Sequence, residues 1–204
     1  MDLSRSLNAV ADVLAAQREN LNRADTVNGN HGDHMLEAFQ AAALAARENA
    51  NRGLTGALEA VSQRLAGLEN NGSAQVYSRG LASFVEQFRK HEITEADLAR
   101  AVQPVIENRD LSAITSSGNV FQALVGAMAA WQRAENGEPP DDREAGMGYW
   151  MEIGMAYMQA QRRGGSTAQI LADAAVTASP LSRVPHRELS GKLTLQTFLE
   201  AVLD

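Results

Sequence analysis

Apolar side chains recur at intervals of three and four along nearly the whole chain, and this spacing is what most constrains its fold. Leu3, Leu7, Val10, Leu14 and Leu21 begin the pattern, and Met35, Phe39, Ala42 and Ala46 continue it. Leu54, Leu58, Val61, Leu65 and Leu68 follow, then Tyr77, Leu81, Phe84, Val85 and Phe88. Phe121, Leu124, Val125, Met128 and Trp131, and later Leu195, Phe198, Leu199 and Val202, repeat it. Such periodicity lays one apolar stripe along each helix, whereas a half-buried strand needs strict alternation, which is absent here. An all-α fold follows.

Start and stop signals divide the pattern. Thr94-Glu95-Ala96-Asp97 has the form of a capping box, Ser166 and Ser190 are candidate N-caps, and Gly72 and Gly164-Gly165 are candidate helix ends. The expected helices cover 3–22, 34–50, 53–70, 73–91, 94–108, 118–134, 142–163, 166–178 and 190–203, with Pro104 kinking or splitting the fifth. The connections are short outside 22–33, 135–143 and 179–189, so successive helices should run antiparallel in one bundle. Glu138-Pro139-Pro140-Asp141-Asp142 reads as a turn rather than a linker, and 1–204 as a single domain.

Composition narrows the chemistry. With no cysteine among 204 residues, disulfides, thiolate nucleophiles, iron–sulfur clusters and sulfur-ligated zinc are excluded, and any metal is expected to use oxygen or imidazole. The net charge is −7 and the 18 basic residues are scattered, which argues against a nucleic-acid partner. Val120–Trp131 is the longest apolar-leaning stretch, shorter than the ~20 residues of a membrane span, and reads as a buried helix. Met1-Asp2-Leu3-Ser4-Arg5 does not resemble a targeting leader, so a cytoplasmic location is the expectation.

The segment from Asn22 to Met35 concentrates side-chain oxygens, two of the four histidines and two glycines. Its plain reading is Asn-Gly turn chemistry and an aspartate capping a helix. Its alternative is a site for a metal and a phosphate. A helix N-terminus offers N–H groups to an anion, glycine lets a ligand approach the backbone, and oxygen side chains suit a hard cation. Asn28-Gly29 is also a context prone to deamidation. Met147, Trp150, Met151, Met155 and Met158 form a stripe best read as core packing. Ser182-Arg183-Val184-Pro185-His186-Arg187 reads as a helix connection, with the alternative that it approaches the loop-bearing end.

Val27-Asn28-Gly29-Asn30-His31-Gly32-Asp33-His34-Met35 resembles the loop Gly-Asp-x-Asp-His-Gly-x-Asn-Met of the dihydroxyacetone kinase L-subunit (DhaL-like) family. Leu21 to Met35 is similar, without a gap, to the corresponding loop in the kinase domain of bacterial fatty acid kinase. Asn71-Gly72-Ser73-Ala74-Gln75-Val76-Tyr77 keeps the serine and tyrosine of the family's nucleotide loop, Gly-Ala-Ser-Gly-Pro-Leu-Tyr. Weaker echoes lie at Ser117 to Leu124 and at Ala178-Ser179-Pro180-Leu181.

This resemblance implies an antiparallel up-and-down helical barrel of about eight helices. It implies ATP or ADP bound with magnesium at one end of the barrel, and phosphoryl transfer to a small hydroxy or acyl substrate held by a partner subunit. His31 would then be the catalytic position, and His31, Gly32, Asn71, Gly72, Ser73, Ala74 and Asn119 would contact the nucleotide. Asn22, Asp25, Asn28, Asn30, Asp33 and His34 would surround the metal, with Asn28 and Asn30 standing where the family has metal-binding aspartates. Amides bind magnesium less well than carboxylates, so a catalytically degenerate binding or regulatory homologue is one alternative. An enzyme with a rebuilt site of His31, Asp33 and His34, taking another divalent metal, is a second.

Overall fold

The computed structural model describes residues 2–94, 96–97, 100 and 145–203. Seven α-helices and no strand occur among the described residues: α1 (Leu3–Ala24), α2 (His31–Glu48), α3 (Gly53–Ala66), α4 (Gly72–Lys90), α5 (Ala145–Arg163), α6 (Thr167–Thr177) and α7 (Pro185–Leu203). Short 3₁₀ turns, Ala50–Arg52 and Pro180–Arg183, precede α3 and α7. The all-helical expectation holds. The helices expected over 94–108 and 118–134, the Pro104 kink, the turn at 138–142 and Asn119 lie outside the described residues or largely so.

α1 packs on α2 and on α7, α2 on α3 and α4, α3 on α4, and α6 on both α5 and α7. The α1 stripe buries Leu3, Leu7, Val10, Leu14 and Leu21, as its periodicity requires, in one cluster with Met35, Phe39 and Ala42 of α2 and Val61 and Leu65 of α3. Each such large side chain contributes about 1.5–3 kcal/mol by leaving water. α2 is alanine-rich, with Ala38, Ala42, Ala43, Ala45 and Ala46 all buried, because it has neighbours on several sides and small residues let the axes approach. The approach is closest at Gly32, where a Cβ would stand 2.2 Å from the Arg18 carbonyl oxygen.

α3 and α4 are joined by a reciprocal buried pair in which each serine hydroxyl donates to the other's carbonyl: Ser62 to Ser78 at 2.9 Å and Ser78 to Ser62 at 2.8 Å. Gln75 reaches the carbonyls of Leu65, Ala66 and Leu68 nearer the turn, so these two helices run antiparallel. Tyr77 packs edge-on against Phe39 and lies 3.4 Å from the Thr194 hydroxyl, bringing α7 against α4.

Several boundaries differ from the sequence reading. α2 begins at His31 rather than 34, because Asn22 satisfies the free amides of its first turn. α7 begins at Pro185 rather than 190, since proline suits the first helical position, where its missing N–H is not needed. Ser190 therefore lies inside α7 and caps nothing. Gly72 starts α4 instead of ending α3, with Asn71 as the N-cap whose Oδ1 accepts from the Ala74 amide. The other signals hold: Ser166 accepts from Gln169 N–H, Gly164 has φ +79 after α5, and Thr94 and Asp97 cap each other reciprocally.

The methionine stripe is corrected for the two members whose side chains are described. Met155 and Met158 are 51% and 54% exposed. The buried face of α5 consists of Ala156, Tyr157 and Ala160, which pack on Ile170 and Ala174 of α6 and lie across the helix from the methionines.

Candidate functional site

Three helix N-termini meet at one end of the bundle. His31 is the first residue of α2, Ser73 the second of α4 and His186 the second of α7. His31 Nε2 is 2.8 Å from Ser190 Oγ, its Nδ1 is 3.4 Å from Ser73 Oγ, and its ring lies 4.7 Å from that of His186. Three of the chain's four histidines gather here, since His34 stands one turn further along α2.

The loop entering α2 is held by its own side chains. Asp25 accepts from the amides of Val27 at 3.0 Å and Asn30 at 3.3 Å, and its carboxylate lies 3.7 Å from His186 Nδ1. Burial pushes this carboxyl upward, but the Val27 amide, the His186 ring and the amides of Asn28 and Asn30 outweigh it and leave it below its ordinary value. Asn22 Oδ1 accepts from the amides of Gly32 at 2.7 Å and Asp33 at 3.2 Å, while its Nδ2 donates to Asp33 Oδ2 at 2.9 Å. Asp33 also lies 3.6 Å from Arg18.

Asn71 fastens the second loop to the first. Its Nδ2 donates to the His34 carbonyl and to Glu37 Oε2, both at 2.8 Å, while its Oδ1 caps α4. It is a buried amide whose oxygen and nitrogen are both bonded, and it joins the loops around His31 and Ser73. Gly72, beside it, is exposed and has no atom within 4 Å of the position a Cβ would occupy. Open space therefore adjoins the first turn of α4.

His31 is buried and held neutral. Burial is the main cause, the charges of His186, Arg187 and His34 add to it, Asp25 opposes, and the imidazole is pushed down to about 4. A group so weakly basic exchanges hydrogen bonds at neutral pH rather than accepting a proton from a hydroxyl.

The sequence-derived nucleotide positions His31, Gly32, Asn71, Gly72, Ser73 and Ala74 thus come together. Three of the metal positions are spent on neighbouring groups of the loop and the adjoining helices. Asn22 and Asp25 serve backbone amides, Asp33 is paired with Arg18 and Asn22, and Asn28 is exposed. Asn30 Oδ1 is the buried side-chain oxygen of this loop that lacks a partner among the described residues. No group of three His, Asp or Glu side chains among the described residues converges to hold a metal. One orphan amide oxygen does not fit a pair of magnesium ions, which need carboxylates.

His186, Arg187 and Ser190 are the residues that reading the loop alone misses. His186 and Arg187 sit in the proline-fixed basic segment, and the alternative of approach to the loop-bearing end is the one the geometry favours over a mere connection. No helix among the described residues is long and apolar enough to cross a membrane. No protein-family model, curated protein or solved structure matches the chain.

Proposed function

We propose that this chain is a DhaL-like helical domain that binds a phosphate-bearing ligand of the nucleotide class, ATP or ADP, at the end where α2, α4 and α7 begin. The observation that supports this most is the meeting of three helix N-termini around His31 and Ser73. Each N-terminus carries partial positive charge, the Gly72 and Ser73 amides of α4 make no hydrogen bond among the described residues, and Arg187 adds a cation in a chain that is acidic overall. In this reading the Gly72 and Ser73 backbone and the Ser73 hydroxyl receive phosphate oxygens, and neutral His31 orients that hydroxyl.

The domain is a catalytically degenerate binding module in this reading, because the loop's carboxylates serve the loop itself. Magnesium would enter with the nucleotide, not through a protein cage. Phosphoryl transfer to a small acceptor on a partner subunit, within the eight-helix barrel of the family, is the second reading, carried by the resemblance of the two loops.

Calorimetric titration of ADP and ATP, without metal and then with magnesium, separates them. Saturable binding without metal, weakened by Ser73→Ala and His186→Ala in folded protein, is expected. Strictly magnesium-dependent binding by the unaltered chain would favour the kinase, and binding confined to the Asn28→Asp/Asn30→Asp variant would mark a site switched off. Absence of ADP, ATP and inorganic phosphate binding under all these conditions overturns the reading.

A further inference from the structure

The chain contains the dipeptide Asn-Gly at 28–29, 71–72 and 136–137, the last outside the described residues. The first two sit at the same end of the molecule in opposite physical states. Asn28 is exposed in the turn between α1 and α2, its carboxamide has no hydrogen-bond partner among the described residues, and the Gly29 amide makes no hydrogen bond of good geometry there. Gly29 has φ +68 and nothing within 4 Å of a Cβ position, so the chain can move there without displacing a neighbour. Asn71 is 2% exposed, and its carboxamide is fixed by Ala74 N–H, the His34 carbonyl and Glu37.

We propose that Asn28 is a spontaneous deamidation site and that the fold confines this chemistry to it, shielding Asn71. The Gly29 amide nitrogen attacks Asn28 Cγ, a C–N bond forms, the Cγ–Nδ2 bond breaks, and ammonia leaves with the proton from the Gly29 nitrogen. Water then opens the five-membered imide at either carbonyl and yields aspartate or isoaspartate. No oxidant or cofactor enters. The reaction needs a side chain free to swing onto the following nitrogen and an amide not already engaged, and Asn28-Gly29 offers both.

At Asn71 the same swing would break three hydrogen bonds and uncap α4, so reaction there waits on local opening. The product at position 28 adds one negative charge to a chain of −7, beside the Asp25-organised turn. The isoaspartate product also lengthens the main chain by a methylene next to the left-handed Gly29. This inference stands independently of phosphate binding.

The test is peptide mapping with fragmentation after incubation of the full chain at mildly alkaline pH, folded and in urea. In folded protein, conversion at Asn28 should exceed that at Asn71 by at least about tenfold, a ratio that a modest local-opening free energy already produces. In urea, where both side chains are free, the ratio should fall to near unity, which also measures the effect of the flanking residues. Equal rates in the folded protein, or a ratio unchanged by urea, overturn the proposal. Asn28→Gln should remove isoaspartate from the 24–47 tryptic peptide without altering Asn71, and persistence of the signal in that peptide overturns it as well.

Discussion

His31 and Ser190 are 159 residues apart in the chain, and their side chains meet at 2.8 Å. This bond ties the first turn of α2 to the second turn of α7 and seals the imidazole from solvent. The fold therefore depends on an uncharged histidine at a place where three helices present their positive ends.

Stability should depend on pH through this residue. The folded chain holds the His31 imidazole near 4, below its ordinary 6.5, so acid favours the unfolded chain, which takes the proton more readily. The stabilisation is complete above about pH 6.5 and declines as pH falls toward 4, with a limiting slope of about 1.4 kcal/mol per pH unit for one proton. His31→Gln keeps an amide within reach of Ser190 but cannot titrate, so its urea midpoint should decline less over that window. Parallel pH profiles for the two proteins would refute the assignment.

Asn71 performs two tasks that substitution can separate. Asn71→Ala removes the α4 cap and the side-chain donor to the His34 carbonyl and Glu37, and the loss of a cap plus a buried bond should amount to about 2–3 kcal/mol. Asn71→Asp keeps the capping oxygen but places a carboxylate against the oxygens of Glu37 and the His34 carbonyl, where Nδ2 had donated. It should be no more stable than the alanine variant at neutral pH and should recover in acid as the carboxylate protonates. Denaturant midpoints at both pH values check this.

A hydrogen bond and a core side chain should differ in worth. Burial pushes the Tyr77 phenol above its ordinary range, so it remains a neutral donor or acceptor toward Thr194. Tyr77→Phe keeps the edge-on packing against Phe39 and should cost about 0.5–1.5 kcal/mol. Leu14→Ala, at a fully buried position of α1, should cost about 2–5 kcal/mol through lost burial and the cavity left behind. Thermal unfolding of the pair orders the two effects.

Helical spacing made α1, α3 and α4 legible, because each has one buried face and a polar remainder, whereas α6 packs on both α5 and α7 and was marked by its Ser166 cap. α2 was displaced by three residues since its first turn is capped from Asn22, a residue in another helix, and no local signal at 31–33 announces that. The loops around His31 and Ser73 share an end of the bundle through Asn71, and the spending of Asp25 on the loop's own amides is a tertiary fact. His186 and Ser190 joined the site through packing of α7 on α1, at a separation that local patterns do not encode. Pro185 was the available signal, since proline marks a first helical turn and would have moved His186 and Arg187 from a connection to a helix start.

Gly32 and Gly29 lie three residues apart and resist substitution for different reasons. At Gly32 a methyl group would meet the Arg18 carbonyl oxygen at 2.2 Å and Asn22 Oδ1 at 2.9 Å, so α1 and α2 must separate and the Asn22 cap must loosen. Overpacking of this kind costs about 1–3 kcal/mol, and the weakened cap adds to it. At Gly29 nothing is struck, and only the φ of +68 is unfavourable for alanine, at about 1 kcal/mol. Gly32→Ala should therefore lower the melting temperature more than Gly29→Ala. It should also increase hydrogen exchange at the amides of Gly32 and Asp33, which Asn22 protects. Equal destabilisation by the two variants would mean that α1 yields freely to α2, contrary to the close approach seen at Arg18.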